Sequence, residues 1–305
     1  MSKSVALIGE CMLELSHAAH NDDDSSMPMA LKYGGDTINT AVYMSRAGVN
    51  VSYVTALGDD VMSEWLLSSW KQEGIDCSLV KTMVNEVPAM YMINVDEEGE
   101  RSFLYWRKNS PASRLFDDEG EARTLFESLN AFDYVYLSGI SLAILKPQAR
   151  QLLVELLTSY REQGGYVVFD GNYRPKLWET SEQAKELYLA LYKLSDIVLP
   201  TLEDENMLFG VETPEQVIET LSQAGVAEAV VKMGGEGCLA YSENGTTLIP
   251  SEPVQPVDTT AAGDSFNAGY LSARLQGKDV KSACKAGHAL ASKVIQFRGA
   301  ILPPC

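Results

Sequence analysis

Asp258-Thr-Thr-Ala-Ala-Gly-Asp-Ser-Phe-Asn-Ala-Gly-Tyr-Leu271 is the stretch on which the reading of this chain turns. Three small residues, Ala261, Ala262 and Gly263, stand directly before Asp264. A helical pattern follows, with Phe266 and Tyr270 one turn apart and Leu271 and Leu275 another turn-spaced pair. Small residues opening a helix leave its first N–H groups unpaired and unobstructed, and such an end binds anions, phosphate above all. A carboxylate at the same spot is electrostatically stabilised, and chemically idle until a reacting group reaches it. An anion cradle with a base beside it is what phosphoryl transfer to a hydroxyl requires. The same residues also fit a plainer description, a glycine-containing loop with an acidic residue in the first helical turn.

Composition narrows the field around this segment. A chain of 305 residues can bury a substantial core, and we treat residues 1–305 as one unit. Hydrophobic residues at 46% and charged residues at 22% are ordinary for a soluble globular protein. A net charge of −18 disfavours nucleic acid and anionic membrane surfaces as partners. It also means that an anionic substrate needs a local cluster of arginine, lysine or metal. The five cysteines, at 11, 77, 238, 284 and 305, have no CxxC pair or metal-type spacing. With no signal-peptide pattern at the start, they read as reduced thiols in a cytoplasm. No apolar run approaches the ~20 residues of a membrane span. The three histidines, His17, His20 and His288, exclude a histidine-rich zinc centre and leave few candidates for Ser-His-Asp hydrolysis.

Short β-branched runs alternate with helical patterns along the chain. Strands are expected at 5–8, 51–56, 134–138, 167–170, 197–199 and 229–232, and helices at 37–47, 60–73, 147–163, 181–194, 214–224 and 281–296. This alternation predicts an α/β fold, a mostly parallel sheet covered by helices on both faces. Two stretches break it. Residues 12–33 are polar around an acidic loop at 21–26, in which the run 22–24 reads as solvated. Residues 88–107 read as a hairpin, 89–95 and 101–107, with a turn at 96–99. Together they are expected to form a small β-sheet standing off the main domain, either a lid that excludes water from a site or a surface insertion.

Three further motifs join the first. Gly34-Gly35-Asp-Thr-Ile-Asn39 precedes the first long helix; paired glycines let a ligand approach the backbone, and Asp36 or Thr37 is expected to cap the helix. Val230-Val-Lys-Met-Gly-Gly-Glu-Gly237 ends a strand in a glycine-rich turn, the place where open α/β sheets bind ligands, although a hairpin into a strand at 238–241 would look the same. Pro200-Thr-Leu-Glu-Asp-Glu205 follows the strand at 197–199.

The first segment closely resembles the C-terminal signature of the ribokinase-like (PfkB) carbohydrate kinases, D-T-x-G-A-G-D-x-F, and departs from it once, with Ala261 in place of glycine. A methyl group there is expected to be tolerated. The Gly34–Asn39 motif resembles the first signature of that family, G-G-x-x-x-N. The resemblance covers essentially the whole chain and implies a three-layer α/β/α domain with a β-sheet lid. It implies Asp264 as the catalytic base, with the N–H groups of Ala262, Gly263 and Asp264, and Ala261 beside them, around the transferring phosphoryl group. Gly34, Gly35 and Asn39 would hold sugar hydroxyls. Lys232, Gly234, Gly235 and Gly237, with Asn172 and Thr201, would lie along ATP. Many members carry N-x-x-E near residue 201, a glutamate that holds Mg2+ through water. Here Thr201 and Asp204 stand at those positions, and Glu203 and Glu205 compete with Asp204 for the role. A monovalent cation such as K+ is a further candidate cofactor, and a homo-oligomer through the lid a candidate assembly. The family's C-terminal helical region flanks adenine, but His288 within it reads as packed or solvated rather than catalytic.

Tyr105-Trp-Arg107 and Asp170-Gly-Asn-Tyr-Arg174 speak to the substrate. Tyr105 and Arg107 share a strand face. Arginine binds a carboxylate through two parallel N–H···O bonds, so two arginines at a sugar pocket suit a sugar acid; the plainer alternative is that both are surface residues. The Y-x-R and N-x-R patterns resemble those of the family's 2-keto-3-deoxygluconate kinases, where Tyr91 would be a further contact. A fructokinase, ribokinase or nucleoside kinase, or a sugar sensor on the same scaffold, stays as an alternative. A dinucleotide-dependent dehydrogenase does not, because Gly9-Glu10-Cys11-Met12 after the first strand lacks G-x-G-x-x-G.

Overall fold

Val5, Ala6, Leu7 and Ile8 are all buried, and a strand apolar at every position must be covered on both faces. A computed structural model of the protein describes residues 3–17, 27–95 and 101–303. The acidic run at 22–24, the turn at 96–99, His20 and Cys305 lie outside the described residues. The strands are β1 (Ser4–Ile8), β2 (Met12–His17), β3 (Met29–Gly34), β4 (Asn50–Leu57), β5 (Val80–Thr82), β6 (Ala89–Val95), β7 (Arg101–Trp106), β8 (Tyr134–Ser138), β9 (Tyr166–Asp170), β10 (Ile197–Val198), β11 (Glu228–Lys232), β12 (Cys238–Ser242) and β13 (Gly245–Ile249). The helices are α1 (Asp36–Arg46), α2 (Val61–Gln72), α3 (Glu119–Leu129), α4 (Gly139–Ala143), α5 (Pro147–Glu162), α6 (Ser181–Leu194), α7 (Leu202–Phe209), α8 (Pro214–Gln223), α9 (Ala262–Leu275) and α10 (Val280–Val294).

The main sheet runs β13-β12-β11-β10-β9-β8-β1-β4-β5. It is parallel except for the β11–β12 and β12–β13 pairs. Alternate residues feed two cores. Ala6, Ile8, Val54, Val135 and Leu137 meet α3, α5, α6 and α8 on one face. Val5, Leu7, Val51, Tyr53 and Val230 meet α1, α2, α9 and α10 on the other. This is the expected three-layer α/β/α arrangement. From β1 the chain extends the sheet to both sides, through β4 and through β8, and such a reversal opens a crevice beyond the strands' C-terminal ends. Glu10, Asn172, Thr201 and Gly234 all follow strands at that edge.

The two stretches that break the alternation form a second sheet, ordered β3-β2-β6-β7. β2 pairs antiparallel with β3 and parallel with β6, and β6 pairs antiparallel with β7. The sheet is rooted where Met12 pairs with both Gly34 and Ala89, so it rises from the Gly34–Gly35 turn. No helix among the described residues is long and apolar enough to cross a membrane.

The capping expectation for α1 is corrected. Gly35 takes the N-cap without a side-chain cap bond, because Asp36 and Thr37 find better partners. Asp36 Oδ1 accepts from the Thr37 N–H at 2.8 Å, and Thr37 Oγ1 shares a 2.9 Å hydrogen bond with Tyr53 OH. Only glycine fits position 35: its φ is +153°, and an added Cβ would lie 2.4 Å from the Glu10 carbonyl oxygen.

Candidate active site

Helices α1 and α9 lie in the same core layer, and their N-terminal turns meet. Asn39 Nδ2 donates to Asp264 Oδ2 at 2.8 Å, and Thr40 Oγ1 donates to the Asp264 carbonyl at 3.3 Å. Two motifs 225 residues apart thus share one hydrogen bond. Asn39 Oδ1 is buried with no partner among the described residues, an acceptor left open beside Asp264 and costly unless something donates to it. Burial pushes the Asp264 carboxyl up to about 7, with the nearby Asp36 and Asp170 charges adding to the effect and Asn39 and Lys232 opposing it. A base that titrates near neutrality is matched to accepting a hydroxyl proton.

The loop before α9 keeps one expectation and corrects another. Ala261 is the N-cap at φ 60°, ψ 19°, the left-handed region in which an L-residue costs about 1–2 kcal/mol. The helix starts despite the methyl group, but the substitution for glycine carries backbone strain. The Ala262 N–H donates to Thr259 O at 3.2 Å, so it is spent on the turn. Gly263 and Asp264 then supply the open N–H groups of the first turn. Asp258 anchors the loop. Its Oδ1 accepts from the Thr260 N–H and Oγ1 at 3.0 and 2.6 Å, and its Oδ2 accepts from the Gly299 N–H at 2.8 Å.

Lys232 lies beneath this cradle instead of lining its own glycine loop. Its buried Nζ donates to Asp170 Oδ1 and Asn267 Oδ1, both at 3.0 Å. A Cβ added to Gly263 would lie 3.6 Å from that ammonium. Asn267 Nδ2 donates to Tyr136 OH at 3.1 Å, closing a buried polar network under the site. Gly234 (φ +57°) and Gly237 (φ +107°) need glycine to turn, while the space around Gly235 is open. Thr201 bridges to Lys232, bringing together the two loops expected to lie along a nucleotide. Asn172 Nδ2 donates to Asp36 Oδ2 at 2.7 Å, which ties the loop after β9 to α1.

Of the three acidic candidates for a metal, Glu205 turns into the core and accepts from Tyr192 OH at 2.5 Å. Asp204 is nearly buried and paired with Arg174 NH1 at 3.1 Å; burial raises its carboxyl and Arg174 opposes the rise. Glu203 is exposed. No group of three or more acidic, histidine or cysteine side chains arranged for a metal occurs among the described residues. Mg2+ keeps several waters and takes one or two carboxylates besides substrate phosphates, so Asp204 could serve such an ion.

At the Gly34–Gly35 turn, Tyr91 and Asn39 reach Gly34, where a Cβ would lie 3.1 Å from Tyr91 OH and 3.8 Å from Asn39 Oδ1. Tyr91 OH donates to Glu14. Tyr105 stands opposite Tyr91 in the lid, the rings 6.0 Å apart. The two arginines expected at the pocket both have acidic partners. Arg107 NH2 donates to Glu10 Oε2 at 2.5 Å, and Arg174 is held by Asp204. Arg107 is partly buried and needs a counter-charge there, whereas the Arg174 side chain is 49% exposed. Arg107 Nε is nevertheless buried with no partner among the described residues. Glu10, Glu14, Asp36, Asp170, Tyr136 and Asn267 were missed by sequence reasoning. The one available signal was for Glu10 and Asp170, carboxylates at or just beyond the C-terminal ends of core strands. His288 packs against Phe266, the ring centres 5.0 Å apart.

Residues 2–304 match the sequence profile described as pfkB family carbohydrate kinase. The 2-dehydro-3-deoxygluconokinase of Escherichia coli (strain K12) is 45% identical over 311 residues, covering 99% of this chain and 98% of that protein. The 2-dehydro-3-deoxygluconokinase of Dickeya dadantii (strain 3937) is 44% identical over 312 residues, covering 99% and 97%. Among solved structures, the PfkB protein of Polaromonas sp. JS666 is 29% identical and superposes with a TM-score of 0.82, covering 97% of this chain and 96% of that one.

Proposed function

The chain belongs to the pfkB family of carbohydrate kinases, and we infer that it transfers the γ-phosphoryl group of ATP to the 6-hydroxyl of 2-dehydro-3-deoxygluconate (2-keto-3-deoxygluconate). The observation that carries the reaction is the meeting of Asp264 and Asn39 at the open end of α9. The choice of substrate rests on end-to-end identity near one half with proteins named for that activity.

Asp264 accepts the hydroxyl proton as the oxygen attacks the γ-phosphorus in line, and ADP leaves on the far side. The N–H groups of Gly263 and Asp264, with the positive end of α9, face the charge on the transferring group. Lys232, neutralised below by Asp170, fixes the floor of that cradle. Gly34, Gly35 and Asn39 hold sugar hydroxyls; Tyr91, Tyr105, Arg107 and Arg174 hold the carboxylate and keto end. Gly234, Gly235, Gly237, Asn172 and Thr201 surround the nucleotide. Mg2+, bound with ATP, would neutralise phosphate charge, and Asp204 would help to hold it. A monovalent cation such as K+ belongs to the same reading, and assays in K+ and in Na+ measure it. The lid closes over the sugar and excludes water.

The lid also supports a homo-oligomer. β7 is an edge strand whose Phe103, Leu104, Tyr105 and Trp106 are all exposed, and an apolar edge of this kind pairs with another chain unless covered. Light scattering measures the assembly. A cytoplasmic location fits the free thiols of Cys11, Cys77, Cys238 and Cys284.

The reaction is tested by phosphorus NMR of the product formed from ATP and 2-dehydro-3-deoxygluconate. A phosphate ester split by the two C6 protons is expected. An ester at another carbon, or none, overturns the reading.

A further inference from the structure

Glu10 is 3% exposed and lies just beyond β1, in the crevice. A carboxylate at such a place is retained only if hydrogen-bonded and charge-compensated. Both oxygens are used: Oε2 accepts from Arg107 NH2 at 2.5 Å, and Oε1 accepts from Ser110 Oγ. Ser110 Oγ in turn accepts from the Ser113 N–H at 3.3 Å, and Ser113 Oγ donates to Ser110 O at 2.7 Å. The chain leaving the lid is therefore pinned to the main sheet through this one side chain. The main chain of Glu10 also backs the sugar loop, since its carbonyl oxygen is what excludes a Cβ at Gly35. Glu10 thus touches the Gly34–Gly35 turn with its backbone and the end of the lid with its side chain. A guanidinium has five N–H donors in a rigid fork. Glu10 occupies NH2, and the shielded Nε–H keeps no partner among the described residues.

We propose that Glu10 is a positioning residue for acid recognition: it grips Arg107 by NH2, so that the remaining donors of the fork stand at a fixed place for the substrate carboxylate. The inference rests on the reading of the substrate as a sugar acid. It differs from a role in which Glu10 merely cancels the charge of Arg107. Orientation makes the carboxylate of Glu10 helpful to acid binding, whereas cancellation makes it a competitor of the substrate.

The test compares wild type, Glu10→Gln, Arg107→Ala and the double variant in ADP-release kinetics with 2-dehydro-3-deoxygluconate. Glu10→Gln should raise KM at least about tenfold while kcat changes less than about threefold, the size expected for losing a charge-assisted hydrogen bond that acts through binding. With Arg107 already removed, the same change should alter KM less than about twofold, because the two act as one unit. Ser110→Ala, which removes the other hold on the same carboxylate, should raise KM in the same direction by a smaller factor, and its KM decides the matter should Glu10→Gln fold poorly. An unchanged or lowered KM, or an equal cost with and without Arg107, overturns the proposal. A wild-type preference for a neutral sugar overturns the substrate reading and this inference together; acid preference with an unchanged Glu10→Gln KM overturns this inference alone.

Discussion

Replacing Asp264 by Asn should cost activity and add stability, and the stability gain should depend on pH. The Asp264 carboxyl rises from an ordinary 3.8 to about 7, because burial and the nearby Asp36 and Asp170 charges disfavour the ionised form. The folded protein therefore keeps this proton to about pH 7, while the unfolded chain releases it near 4. The stability associated with that proton is fully present below pH 4 and is lost as pH rises through 7. At about 1.36 kcal/mol per pH unit, the interval of roughly three units sets a ceiling of about 4 kcal/mol. The side chain is only half-buried, so solvent screening brings the expected value to about 2 kcal/mol. Asn keeps the shape and still accepts from Asn39 Nδ2, but never carries the charge. Urea unfolding should show the variant slightly more stable than wild type at pH 5, where about one of the three units is already lost, and more stable by the full amount at pH 8.5. In coupled ADP release the variant should lose turnover by at least about a hundredfold while sugar binding persists. Near-normal activity, or a variant less stable at pH 8.5, would refute the reasoning.

Two further outcomes follow from the same geometry. Ala261→Gly should stabilise the protein by about 1 kcal/mol or less, since relief of the left-handed strain is partly offset by glycine's freedom in the unfolded chain; a drop in melting temperature would show that the methyl group has a packing role. For wild type, kcat/KM should rise with pH through about 7 as Asp264 ionises. Asp36→Asn removes a like charge and should move that acidic limb to lower pH, and an unmoved limb would mean that another group titrates.

The central strands were legible because their inner positions are mostly apolar, and the sequence bounds 134–138 and 181–194 coincide with β8 and α6. Other elements hid. α7 opens with Glu203, Asp204 and Glu205, which read as metal ligands before they read as a first helical turn. β2 and β3 carry polar residues among apolar ones and resolve into strands only through pairing with each other and with β6. The Asn39–Asp264 contact was legible as two separate motifs. The partners of the charged residues were not: Arg107 finds Glu10 across 97 positions and Lys232 finds Asp170 across 62. Local patterns carry no record of such pairings. The strain at Ala261 is a backbone angle that side-chain chemistry does not display.

On the proposed mechanism the pocket recognises a sugar acid and presents its 6-hydroxyl to Asp264. Coupled ADP release with 2-dehydro-3-deoxygluconate, its galactonate epimer, fructose, ribose and adenosine tests it most directly. The account predicts that kcat/KM for a 2-keto-3-deoxy sugar acid exceeds that for every neutral acceptor by at least about a hundredfold, the discrimination available to arginine pairing with a carboxylate. A neutral sugar turned over equally well or better would contradict it.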